Sequence, residues 1–196
     1  MSYPPIMEGA KGLVRANLHE YQQFEQTLEM YLEPVTDLIY TTVCIAPRTN
    51  HHKLLVCGNG GSAAQADHLV AELTVRFKDD RRALPAISLV NGTPSITACG
   101  NDYGWSRTFE HQVEALGRAG DILIAFSTSG TSDNVIKAIN QARNQGMRII
   151  GISGARGMNT QCDIDVRVPS KVTSCIQEMH LMFVHQLCTA LDTLLR

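Results

Sequence analysis

Missing from this chain is any apolar stretch near the roughly 20 residues that a membrane-spanning helix needs. A basic surplus is missing too. Its 17 Lys and Arg stand against 19 Asp and Glu, for a formal charge of -2 at pH 7, and the pI is near 6.4. That balance argues against a surface that neutralises nucleic-acid phosphates. The opening residues MSYPPIMEGAKG lack the basic-then-apolar pattern of a secretory signal. The expectation is a soluble, cytoplasmic protein with neither a nucleic acid nor a membrane as partner. Paired cysteines are also absent. Cys44, Cys57, Cys99, Cys162, Cys175 and Cys188 never stand closer than 13 residues apart, which excludes a C-x-x-C redox or zinc pair. Most lie in apolar runs such as LLVCG and HQLCTALDTLL, and the expected state is buried free thiols.

What is present is enough for a core. The 196 residues are 44% hydrophobic and 18% charged, too apolar for a disordered chain and about the size of one domain, two at most. The first 50 residues read as two helices. Leu13, Leu18, Tyr21, Phe24, Leu28 and Tyr31 recur at helical spacing, as do Val35, Leu38, Ile39, Val43 and Ile45. Glu33-Pro34 marks the break between them, and Pro47 with RTNHHK ends the region. The pattern then changes to short apolar runs: KLLVCG (53–58), PAISLV (85–90), DILIAFS (121–127), MRIIGIS (147–153) and DIDVRVP (163–169). Helical stretches at 63–77, 132–146 and 174–195 separate or follow them. This alternation predicts a three-layer α/β/α fold on a five-stranded parallel sheet. The N-terminal helical pair is left over, and burying its apolar stripe against another subunit predicts an oligomer.

Two loops follow predicted strands and precede predicted helices. In Cys57-Gly58-Asn59-Gly60-Gly61-Ser62, the glycines permit positive φ and close approach of backbone to a ligand, and the helix N-terminus suits an anion. A tight turn with Ser62 as N-cap is the alternative. The loop is neither a Walker A nor a G-x-G-x-x-G motif. In Ser127-Thr128-Ser129-Gly130-Thr131-Ser132, more hydroxyls gather than capping needs, which suits reversible binding of a small phosphorylated metabolite. Both loops fall at carboxyl ends of parallel strands, where open α/β folds bind ligands.

Chemistry-bearing residues lie on the helices beyond. His68 and Glu72, at i and i+4, share a face, although from spacing alone an ordinary helical polar pair, such as Glu72 with Arg76, is the plainer explanation. Gln177 and His185 are about 80° apart around a helix and can serve one site. His180 points elsewhere and reads as a satisfied or solvent-facing histidine. The four residues His68, Glu72, Gln177 and His185 form a donor set suited to zinc, but spacing alone cannot establish such a site.

CGNGGSAAQADHLVAELTVRF, Gly100-Asn101-Asp102, STSGTSDNVIKAI and IQEMHLMFVH resemble the sugar isomerase (SIS) domain family in its phosphoheptose isomerase branch, from about Lys53 to the C-terminus. The resemblance implies a flavodoxin-like SIS fold over residues 51–196 as one structural unit, with residues 1–50 as an oligomerisation segment. It implies an aldose–ketose isomerase that converts sedoheptulose 7-phosphate to D-glycero-D-manno-heptose 7-phosphate through an enediol, towards nucleotide-activated heptose. By that likeness Glu72 is the base and His185 the acid/base for the oxygens. His68, Glu72, Gln177 and His185 match zinc-binding positions, with one Zn2+ per subunit. If Glu72 both binds metal and moves protons, the roles must alternate or be shared. Asn59, Gly60, Gly61, Asn101, Asp102, Glu72 and Gln177 match substrate contacts. Ser127, Thr128, Ser129 and Ser132 match the phosphate cradle, with Ser62 as an added donor. The family is typically a homotetramer with active sites at subunit boundaries. Ser174 departs from the acidic residue that some members carry there, leaving its hydroxyl and that of Thr173. The rival reading is a non-catalytic SIS regulator that binds the replication initiator DnaA. Such regulators lack the residues matching Glu72 and His185, and this chain has both. A sensor or isomerase of another sugar phosphate is the remaining alternative.

Overall fold

The computed structural model describes residues 5–45 and 51–196, with side chains from residue 11. The turn expected at Pro47 lies outside the described residues. The chain opens with α1 (Pro5–Ile39) and a single π-helical turn (Tyr40–Cys44). There follow β1 (Leu54–Cys57), α2 (Gly61–Thr74), β2 (Ala86–Ser88), α3 (Thr93–Asp102), a 3-10 turn (Trp105–Arg107) and α4 (Glu110–Leu116). The second half comprises β3 (Ile122–Ser127), α5 (Asp133–Asn144), β4 (Arg148–Ser153), β5 (Ile164–Arg167) and α6 (Thr173–Leu194).

The five strands pair in the order β2-β1-β3-β4-β5, all parallel. This is the doubly wound order in which connections reverse direction between β1 and β3, opening a crevice at their carboxyl ends. Alternate residues supply two cores. Leu54, Val56, Ile122, Ile124 and Phe126 pack with residues of α1, α2 and α6. Leu55, Cys57, Leu123 and Ala125 pack with Val113 of α4 and with Val135, Ala138 and Ile139 of α5. Central strands buried on both faces account for their near-continuous apolar sequence. All six cysteines are free thiols, with only Cys162 partly exposed. No helix among the described residues is long and apolar enough to cross a membrane.

Two expectations need correction. The break at Pro34 does not occur, because α1 runs through it to Ile39. An interior proline forfeits one N–H bond and costs roughly 3 kcal/mol. Here Phe24, Val35 and Ile39 are fully buried against the sheet-side core, and that burial outweighs the loss. The N-terminal helix is therefore no appendage over its second half. Its first half still leaves Leu13, Val14 and Leu18 more than half exposed.

The second correction is His180. It is neither satisfied nor solvent-facing but fully buried, tilted against Phe126 with ring centroids 5.8 Å apart. Neither ring nitrogen has a partner in hydrogen-bond geometry, although the Ser153 backbone lies close enough to favour the proton slightly. Burial dominates and drives its pKa from 6.5 down to about 4. The unfolded chain therefore binds this proton below pH 6.5 and the folded chain only near pH 4. Stability present above that window is lost as pH falls through it, by about 3 kcal/mol. The thermal midpoint should fall more steeply from pH 7 to 5 in the native protein than in His180→Leu. Parallel slopes would remove His180 from acid sensitivity.

Candidate active site

The loop after β1 turns at Gly60, which has φ +55° and stands as N-cap of α2. Ser62 is thus not the cap. It lies buried in the first turn of the helix, its N–H bonded to the Asn59 carbonyl at 2.9 Å. Across the crevice the loop after β3 leads into α5 with Ser132 as N-cap. Asn59 and Asn134 join the two loops through reciprocal amide bonds of 2.8 and 2.9 Å. Asn134 is buried, and sequence reading gave it no role, since its partner is 75 residues away.

Within the second loop, Ser127 Oγ accepts the Gly130 N–H at 3.1 Å and lies 3.1 Å from Ser132 Oγ. Ser129 Oγ accepts from the Thr131 N–H and hydroxyl. Thr128 and Ser129 line a cavity of about 190 Å³ together with Arg156, Lys171 and Thr173. Hydroxyls, the N-terminus of α6 and two cations with no carboxylate among the lining suit this cavity to an anion. Sequence reading missed Arg156 and Lys171. They sit on separate loops with no motif, and only the fold gathers them. Ser174 is exposed and is not among the lining residues.

Gln177 sits against the first loop, so that a Cβ on Gly61 would meet its amide at 2.5 Å. Gln65 donates to the Gln177 carbonyl. Two turns along α6, about 12 Å, His185 Nε2 faces His68 Nε2 at 2.9 Å. Glu72 Oε1 lies 3.5 Å from that His68 nitrogen. The ring of Phe77 stacks on His185 with centroids 5.5 Å apart. Burial pushes the His185 imidazole below its ordinary value, His68 and Lys78 add to this, and Glu72 opposes it. Asn101 and Asp102 end α3, exposed, with a 2.8 Å bond to each other. Among the described residues no hydrogen bond joins them to either loop or to the histidines.

Two imidazole nitrogens and a carboxylate suit zinc chemically. Among the described residues, however, no group of three or more His, Cys, Asp and Glu is gathered as a ready metal centre. Two nitrogens on one tetrahedral ion, each bonded at about 2.0–2.1 Å, would be roughly 3.3 Å apart. The His68–His185 hydrogen bond closes that gap to 2.9 Å. The two imidazoles would fit one ion once that bond opens by a few tenths of an ångström.

The SIS domain family matches residues 17–154, so the likeness begins inside α1, upstream of the motifs at Lys53. A phosphoheptose isomerase of Aliarcobacter butzleri is 47% identical over 181 residues, covering 90% of this chain and 96% of its own. Two solved structures are similar throughout. The phosphoheptose isomerase GmhA from Neisseria gonorrhoeae has a TM-score of 0.82 at 36% identity, covering 95% of this chain and 99% of that one. A phosphoheptose isomerase from Francisella tularensis has a TM-score of 0.87 at 32% identity, covering 97% and 100%. With the sheet order, the two crevice loops and these similarities in agreement, the chain belongs to the SIS domain family, in its phosphoheptose isomerase branch.

Proposed function

We propose that the chain converts sedoheptulose 7-phosphate to D-glycero-D-manno-heptose 7-phosphate, in the supply of nucleotide-activated heptose. The observation that carries this is the meeting of His68, His185 and Glu72 roughly two and a half to three turns along α6 from Thr173 and Ile176 of the anion cavity. That spacing suits a long, extended sugar phosphate lying with its phosphate in the cavity and its carbonyl end at the histidines.

The phosphate is held by Thr128 and Ser129, by the N-terminus of α5 behind Ser127 and Ser132, and by the charges of Arg156 and Lys171. Ser62 and the backbone of Asn59, Gly60 and Gly61 border the sugar, with Gln177 beside them. Asn101 and Asp102 take the sugar hydroxyls. Glu72 removes a proton from C1, and O2 is protonated by His185 as the C1–C2 enediol forms. Glu72 then delivers a proton to C2 while the O1 proton leaves to His185, restoring the ring and leaving an aldehyde at C1. In the metal-free chain the bond to His68 holds the direction of the His185 ring. One Zn2+ per subunit, held by His68, Glu72, Gln177 and His185, would polarise the substrate carbonyl as a Lewis acid.

The assembly is a homotetramer with sites at subunit boundaries, built on the N-terminal segment of residues 1–50 beside the 51–196 unit. The exposed Leu13, Val14, Leu18 and Met30 of α1 support it, as does the groove between α1 and α6 lined by Leu32, Tyr40 and Leu194. Six unbridged thiols support a reducing compartment, the cytoplasm. The experiment is turnover of sedoheptulose 7-phosphate before chelation, after it and with zinc restored. Activity lost and regained supports both enzyme and metal. Activity indifferent to chelation removes the zinc, and inactivity of a folded, zinc-loaded protein removes the substrate assignment.

A further inference from the structure

The chain that leaves α2 does not go straight to β2. It folds back so that the Arg81 guanidinium, 1% exposed, sits under the last turn of α2. There Arg81 Nη2 donates to the Glu72 carbonyl at 2.8 Å and Nη1 to the Leu73 carbonyl at 3.0 Å. These are end-of-helix carbonyls, which lack intrahelical donors and attract a cation. Arg81 Nε donates to Asp192 Oδ1 at 2.6 Å. Asp192 is 2% exposed, and its other oxygen accepts the N–H groups of Lys78 and Asp79 at 2.9 and 3.0 Å.

The two ends of this arrangement meet the reacting groups. Arg81 holds the backbone of Glu72 itself. Asp192 lies seven residues beyond His185 on α6, a spacing that places both on one helical face. The backbone held by Asp192 at residues 78 and 79 is the continuation of Phe77, whose ring stacks on His185. A buried ion pair is costly to desolvate and is weak evidence for stability alone. Apart from an Nη1 bond to the Arg82 carbonyl at 3.2 Å, its hydrogen bonds run to the end of α2 that carries Glu72 and to the segment that follows Phe77.

We infer that Arg81 and Asp192, with Phe77, are positioning residues that fix the distance and orientation between Glu72 and His185. The inference rests on the isomerase reading for its kinetic consequence, not for its geometry. Lysine keeps the charge of Arg81 but is a point donor without the fork that spans Nε, Nη1 and Nη2. Arg81→Lys and Asp192→Asn should therefore lower kcat for sedoheptulose 7-phosphate about 10-fold to 100-fold, the scale of a small misplacement of reacting groups. KM should stay within about 2-fold, because no phosphate or sugar contact is touched. Phe77→Leu leaves the ion pair intact and removes only the stack, so it should lower kcat in the same sense and by less.

Imidazole nitrogen NMR of the folded proteins gives a readout free of turnover. The His185 and His68 resonances should move in all three variants while those of buried His180 stay. Wild-type kcat and unmoved resonances in folded variants would overturn the inference. So would losses that vanish when assays are run well below each variant's melting temperature. If Arg81→Lys and Asp192→Asn fail to fold, Phe77→Leu decides by the same two readouts. If the native protein does not turn over sedoheptulose 7-phosphate, the isomerase reading fails, and the resonances alone decide the positioning role.

Discussion

Glu72→Gln should fold and bind sedoheptulose 7-phosphate like the native chain, yet lose at least about 100-fold in kcat, the low end for a positioned general base. The amide keeps the size of the side chain and its place beside His68, where the carboxylate Oε1 lies 3.5 Å from Nε2. What it lacks is a lone pair basic enough to take a carbon-bound proton. The preceding residue is Ala71, so no neighbouring carboxylate stands ready to replace it on that turn. Stopped assays at saturating substrate, paired with a binding isotherm, separate the two effects. Near-normal turnover would remove Glu72 from the base role.

Gly130→Ala is expected to give the largest loss of stability from a single added methyl group. Gly130 sits at φ +69°, and a Cβ there would lie 1.9 Å from the Gly157 carbonyl oxygen. Left-handed backbone costs a non-glycine residue roughly 1–2 kcal/mol. Forcing apart a packed contact costs roughly 1–3 kcal/mol more. Gly130 also accepts the Asn159 N–H at 2.8 Å, so the hydroxyl loop and the loop carrying Arg156 move together if either shifts. Denaturant melts should show a deficit of about 2–5 kcal/mol, and KM should rise in whatever fraction folds. A variant within about 0.5 kcal/mol of the native protein, the range of neutral surface changes, would contradict the close approach of the two loops.

The strands were legible because burial on both faces writes an unbroken apolar run into the sequence, as in ILIAFS of β3 and RIIGIS of β4. The two crevice loops were legible as loops because glycine and hydroxyl density between an apolar run and a helical stretch marks a strand-to-helix turn. Pro34 misled because its local signal is strong, whereas the burial of Val35 and Ile39 that overrides it comes from distant α6 and the sheet. Residues 91–120 gave no secondary-structure reading, only the motif at Gly100-Asn101-Asp102. Their helices are short, and α3 carries Pro94 and Gly100, residues that weaken any helical pattern. His68 and His185 were each visible as candidates, but the 117 residues between them are crossed only by folding. The same holds for Asn59 with Asn134 and for Arg81 with Asp192. His180 shows the limit of a helical wheel. The wheel gives the direction of the ring but not the sheet residue, Phe126, that waits there.

The account stands on proton transfer between two carbons of a ketose phosphate, and that step leaves an isotopic record. Sedoheptulose 7-phosphate turned over in D2O by the native protein should yield the aldose phosphate with solvent deuterium at C2, read by proton NMR. An enediol formed by Glu72 exchanges its abstracted proton with solvent before return. Aldose still free of deuterium after many forward and reverse turnovers would mean direct hydride movement and would contradict the base role. No aldose from a folded, zinc-loaded protein would contradict the isomerase assignment itself.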